Sequence, residues 1–120
     1  MTPKRILIAE DQMESREMLV KIFTKRGYDV EAVTNGVDLL NIATGKKFDV
    51  VITDLNMPDL DGASATAIMQ LQGTATPVIA MTGLSEADIG LARESFSRVF
   101  HKPINVAEVF KYIESLLENK

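Results

Sequence analysis

The chain has 120 residues, 46% hydrophobic and 25% charged, with 17 acidic against 13 basic side chains and a formal net charge of −4. Those are globular proportions. They exclude a disordered chain, make one domain the default, and allow roughly two thirds of the unfolded surface to be buried without a metal or disulfide staple. The lack of cysteine excludes a disulfide framework, a thiolate zinc site and a catalytic thiol, while the acidic balance speaks against direct nucleic-acid binding or a grip on anionic lipid.

In chain order, Ile6-Leu7-Ile8-Ala9 is a short, continuous apolar run, the pattern of a strand covered on both faces. A helical stripe of Leu19, Ile22 and Phe23 follows and ends at Gly27. Tyr28 to Val33 alternates in polarity, which predicts an edge strand. Leu39, Leu40 and Ala43 give a second helix ended by Gly45, and Val50-Val51-Ile52 a second buried strand. Asp61 is expected to cap a third helix carrying Ala67, Ile68 and Leu71 and ended by Gly73. Val78 to Met81 is the fourth strand. Ser85-Glu86-Ala87-Asp88 reads as a capping box opening a fourth helix. Gly90 would lie inside that helix, where glycine costs about 1 kcal/mol relative to alanine, so this element is expected to be the least stable. Arg98 to Lys102 predicts a second edge strand. Val106, Val109, Phe110, Ile113, Leu116 and Leu117 make the clearest helical stripe, with Asn105 and Glu108 as its cap pair.

The 24 residues from Gly62 to Ser85 carry no charge, but only 12 are apolar, and Gln70, Gln72, Gly73 and Pro77 interrupt them. This stretch is a helix, a loop and a strand rather than a membrane span. MTPKRILIAED has too short an apolar stretch for a signal peptide. No membrane insertion and a cytoplasmic location are expected.

Strand and helix alternate five times, which implies parallel strands with right-handed crossovers. Edge-like second and fifth strands suit the spatial order 2-1-3-4-5, a three-layer, doubly wound α/β sandwich of the flavodoxin-like type. The first strand closes on Glu10-Asp11, the third on Thr53-Asp54, the fourth on Thr82 and the fifth on Lys102. In a parallel sheet these ends share one rim, the rim where open α/β sheets bind ligands. Three converging carboxylates repel one another unless a cation sits among them. Lys102 supplies one positive charge, and an all-oxygen nest suits Mg²⁺, with Mn²⁺ as the other candidate. A carboxylate, a metal, a lysine and a hydroxyl are the parts that handle a phosphoryl group, and one carboxylate can act as the nucleophile.

ILIAED, DVVITDLNMPDLDG, PVIAMTG and FHKP, at these spacings, resemble the response-regulator receiver domain, the CheY-like module of two-component signalling. The resemblance runs from about Lys4 through the last helix and implies a single receiver domain over residues 1–120. It implies that Asp54 is the phosphoacceptor. Glu10 and Asp11 would be the acidic pair around Mg²⁺, Asp11 the more direct ligand, and Asn56 would offer its backbone carbonyl. Thr82 would be the switch hydroxyl, Lys102 the phosphoryl-pairing lysine, and Pro103 would follow through a cis peptide bond. Met57 and Gly83 stand in the supporting motif positions. The position that usually holds Tyr or Phe, three residues before the lysine, is Val99, which has no ring to relocate; Ser95-Phe96 replaces the usual Gly-Ala pair. The implied donor is a sensor histidine kinase or a histidine phosphotransfer protein. The output would pass to a downstream protein through the face of the fourth helix, fifth strand and fifth helix, with movement of the fourth helix.

Other readings are simpler. The calcium-loop pattern starting at Asp54 breaks at Pro58 and Asp59, so Asp59, Asp61 and Gly62 do not make an EF-hand. His101, the single histidine, reads as a half-exposed structural residue on an edge strand. The methionines are core filler apart from Met57 in the phosphoacceptor loop. Lys25-Arg26 and Lys46-Lys47 sit where helix dipoles favour cations. The alternative function is a Mg²⁺-dependent phosphatase working through an aspartyl phosphate. Asn56 stands where such an enzyme would want a second aspartate as general acid, and no cap domain is evident in these residues. A flavodoxin-like cofactor site lacks its phosphate loop, because Asp11-Gln12-Met13-Glu14 follows the first strand. The chain is therefore expected not to be an enzyme beyond its own phosphotransfer and dephosphorylation. It would be either a stand-alone receiver or the receiver of a hybrid kinase or larger regulator.

Overall fold

A computed structural model describes residues 2–118; Met1, Asn119 and Lys120, the ends of the expected domain, lie outside the described residues. The elements are β1 (Arg5–Ala9), α1 (Met13–Lys25), β2 (Asp29–Val33), α2 (Gly36–Gly45), β3 (Val50–Asp54), α3 (Gly62–Leu71), β4 (Val78–Thr82), α4 (Glu86–Ile89), a 3-10 turn (Gly90–Ser95), β5 (Arg98–His101) and α5 (Val106–Glu118). All strand pairs are parallel and the sheet order is β2-β1-β3-β4-β5, a flavodoxin-like α/β fold.

The continuous apolar runs have a simple cause. Alternate residues of the central strands feed two cores, so no position is left for water. Ile6, Ile8, Val50, Ile52, Ile79 and Met81 pack beneath α1 and α5, against Leu19, Phe23, Val109, Phe110 and Ile113. Leu7, Ala9, Val51 and Ala80 face the other way, onto Leu39 and Ala43 of α2 and Ala65 and Met69 of α3. β3 and β4 are buried throughout, whereas β2 and β5 have exposed positions, as edge strands do.

The helix ends follow local chemistry. Asp61 accepts the Ser64 N–H at 2.8 Å and opens α3, and Asn105 accepts the Glu108 N–H at 3.3 Å. The unforeseen α2 cap is Asn35, which accepts the Asp38 N–H at 2.8 Å.

α4 departs from expectation. Ser85 does accept the Asp88 N–H at 3.2 Å, but the helix runs for only four residues. Gly90 is not inside it. At φ +56° and ψ −137° it ends the helix, and the chain continues as a 3-10 turn with Leu91 84% exposed. Two basic residues also do more than complement a dipole. Arg26 lies 4.0 Å from the Phe110 ring centre and pairs with Glu114 at 3.0 Å, and Lys46 pairs with Glu31 at 3.0 Å. Among the described residues no helix is long and apolar enough to cross a membrane.

Candidate phosphoryl-handling site

β1 and β3 are neighbours with Ala9 opposite Thr53, so the residues that follow or end them meet above the sheet. Glu10, Asp11 and Asp54 each place a carboxylate oxygen within 4.8 Å of the others. Glu10 is 1% exposed and Asp54 5% exposed, whereas Asp11 faces solvent. Lys102, immediately after β5, reaches across the end of β4. Its Nζ donates to Asp54 Oδ2 at 2.6 Å and lies 3.7 Å from Glu10 Oε1. Its own N–H donates to the Thr82 carbonyl at 2.8 Å, and the Lys102–Pro103 peptide is cis.

The charges perturb one another. Burial, and then the Asp54 charge, push the Glu10 carboxyl above its ordinary range, with Lys102 opposing. Burial lowers the Lys102 ammonium, but its hydrogen bond to Asp54 and the charges of Asp54 and Glu10 outweigh that and leave it raised. One lysine thus serves two nearly buried carboxylates and leaves the cluster short of positive charge. An all-oxygen, electron-rich nest of this kind fits a hard divalent cation, so the donor set suits Mg²⁺.

The loop after Asp54 is held closely. Asn56 N–H donates to Asp54 Oδ1 at 3.0 Å, and Thr53 Oγ1 donates to the Asp54 carbonyl at 2.8 Å. Asn56 itself is exposed. Met57 is half-buried against the α2–α3 core. Thr82 is fully buried, and its hydroxyl oxygen accepts the Leu84 N–H at 3.0 Å. Gly83 and Pro103 are exposed on the same rim. Val99 is buried in the α2–α3 core, beside Ala80 on β4.

The roles of three supporting residues escaped the sequence reading. Arg16 on α1 donates to the backbone carbonyls of Glu10 at 3.1 Å and Asp11 at 3.3 Å, tying the acidic pair to the helix; its only signal was its spacing from that pair. Gly36 lets α2 approach the loop that follows Asp54, because a Cβ there would meet the Leu60 carbonyl oxygen at 1.8 Å. Gly62 had been noted only as part of a motif, and its reason is now visible: a Cβ would meet the Asp54 carbonyl oxygen at 2.2 Å. A cleft of about 970 Å³ lies at the opposite pole, lined by Lys4, Arg5, Lys47 and Asp49 among others. Asp49 there already accepts the Arg5 N–H at 2.7 Å, so volume is a poorer guide to this chemistry than converging charge.

Residues 6–114 match the response regulator receiver domain family. Sporulation initiation phosphotransferase F of Bacillus subtilis is 30% identical over 122 residues, covering 100% of this chain and 98% of that protein. Transcription factor SKN7 of Candida albicans is 31% identical over 121 residues, covering 96% of this chain, which spans 22% of that protein's length. Among solved structures, the response regulator protein TrrA of Thermotoga maritima, in complex with Mg²⁺-BeF, is 25% identical. It superposes with a TM-score of 0.86 over 94% of this chain and 98% of its own. With its acidic rim and its five-stranded order, the chain belongs to the response regulator receiver domain family.

Proposed function

We infer that this domain is switched by phosphorylation of Asp54. The observation that carries the reading is the Lys102 Nζ bonded to Asp54 Oδ2 within a nest of three carboxylates. In the transfer, a carboxylate oxygen of Asp54 attacks the phosphorus of a phosphohistidine. The new O–P bond forms as the N–P bond breaks, and the electron pair leaves with the imidazole. The donor would be a sensor histidine kinase or a histidine phosphotransfer protein.

The chain's own residues divide the work. Lys102 holds the carboxylate and then the phosphoryl oxygens, as a fixed positive charge already in place. The Asn56 N–H keeps the Asp54 side chain oriented through Oδ1. Glu10, Asp11, Asp54 and the Asn56 carbonyl would hold Mg²⁺, which supplies further positive charge against the phosphoryl oxygens when bound. The Thr82 hydroxyl, at the end of the neighbouring strand, would turn to meet the phosphoryl group. A downstream protein would read the face of α4, β5 and α5. No activity on outside phosphate esters is needed for this role.

Beryllofluoride with Mg²⁺, or acetyl phosphate with Mg²⁺, added to the wild type and to Asp54→Asn tests the reading. Amide chemical shifts around Asp54, Thr82 and α4 should move in the wild type only. An equal response in both proteins, or none in either, would overturn it.

A further inference from the structure

Thr82 and His101 face each other across the β4–β5 pairing, and both grip Leu84, which follows the end of β4. The Thr82 hydroxyl accepts the Leu84 N–H at 3.0 Å. His101 Nδ1 lies 3.1 Å from the Leu84 carbonyl oxygen, and His101 Nε2 lies 2.5 Å from Glu86 Oε2. Glu86 in turn pairs with Arg93 of the 3-10 turn at 3.1 Å. One imidazole therefore fastens the edge strand to the segment that keeps the Thr82 hydroxyl occupied. Both groups facing the ring are acceptors. A neutral imidazole has one N–H and satisfies one of them, whereas the imidazolium satisfies both.

We propose that His101 is a positioning residue for Thr82: it clamps Leu84 and Glu86 and so holds the Thr82 hydroxyl on the Leu84 N–H, in the unphosphorylated arrangement. To turn toward a phosphoryl group on Asp54, Thr82 must release that N–H, and the freed segment must find a new arrangement. A ring fixed to the Leu84 carbonyl and the first turn of α4 opposes the shift. The switch is then biased by a side chain outside the carboxylate nest, through the difference in its contacts between two states. This rests on Asp54 being the phosphoacceptor.

The test compares wild type with His101→Ala and Glu86→Ala, the second removing one arm of the clamp by a surface substitution. Without metal or mimic, both variants should exchange the amides of Leu84 to Ile89 faster than wild type. With Mg²⁺, both should bind beryllofluoride more tightly, by about two- to fivefold, the scale of exposed charge-assisted contacts. In the wild type the ring-proton signals of His101 should shift when the mimic binds. Unchanged exchange in the metal-free variants, or mimic affinity equal to or weaker than wild type, overturns the clamp. A wild type that ignores the mimic overturns the phosphoacceptor reading instead, and the metal-free exchange still decides whether His101 holds the segment.

Discussion

The Lys102 ammonium lies 2.6 Å from Asp54 Oδ2, so the cation that steadies the proposed nucleophile also competes with any metal for the same charge. Lys102→Met keeps the length of the side chain and removes the competition. Mg²⁺ binding, followed by calorimetric titration, should tighten by about tenfold, the scale of a screened repulsion over a few ångströms. Phosphorylation by acetyl phosphate should slow by a similar factor or more. Unchanged or weaker Mg²⁺ binding would mean that the lysine does not share the field of the carboxylate nest.

Glu10 predicts a pH dependence. Its carboxyl is raised from 4.5, first by burial and then by the Asp54 charge. A folded-state value above the unfolded one means that the folded protein binds the proton more tightly. The resulting stability is fully present below about 4.5 and is lost as pH rises through the folded value. At pH 7 Glu10 thus weighs against the metal-free fold. Glu10→Gln should raise stability by roughly 1 kcal/mol, the usual scale of one substitution, in urea melts at pH 7 with chelator. The gain should shrink on acidification toward pH 4. The same variant should lose most of the stabilisation that added Mg²⁺ confers, because a carboxylate is gone.

Gly62 links the start of α3 to Asp54, the proposed phosphoacceptor. A methyl group there would press on the Asp54 carbonyl oxygen, which is backbone and cannot swing aside. Gly62→Ala should cost about 1–3 kcal/mol, as overpacking does, and should slow labelling of Asp54 even where the protein remains folded. Gly45→Ala is the control. That position is open, with nothing within 4 Å of the added carbon, and should change stability by no more than about 0.5 kcal/mol in either direction. Equal losses in the two variants would remove the steric explanation.

What was legible in the sequence depended on how local its cause is. Ile6 to Ala9 and Val78 to Met81 announce buried strands because a strand with two covered faces has no place for a polar residue. Glu10, Asp54, Thr82 and Lys102 could be placed on one rim because parallel strands all end on the same side. Gly36 was not legible, since its reason is the Leu60 carbonyl, which lies 24 residues further along the chain. The His101–Glu86 contact crosses from β5 to α4, and no periodicity reports it. Arg26 sits at a helix end as the dipole rule suggests, yet its strongest neighbours, Phe110 and Glu114, are on α5. Propensity alone also misplaced Gly90, because a glycine that weakens a helix and a glycine that ends one look alike in sequence.

Gly90 separates those two cases by the sign of a single measurement. Inside a helix, Gly90→Ala would stabilise the protein by about 1 kcal/mol through better helix propensity. At φ +56° and ψ −137° an alanine is strained, although no neighbouring atom blocks the added carbon. The cost should be about 1–3 kcal/mol, the range for a non-glycine residue held in a sparsely populated backbone region. Urea melts of Gly90→Ala should therefore show a loss, and the amides of Glu86 to Ile89 should exchange faster, because the residue that closes the helix no longer fits its turn. A gain in stability would mean that the helix runs on through residue 90 in solution and that Leu91 is carried on its next turn.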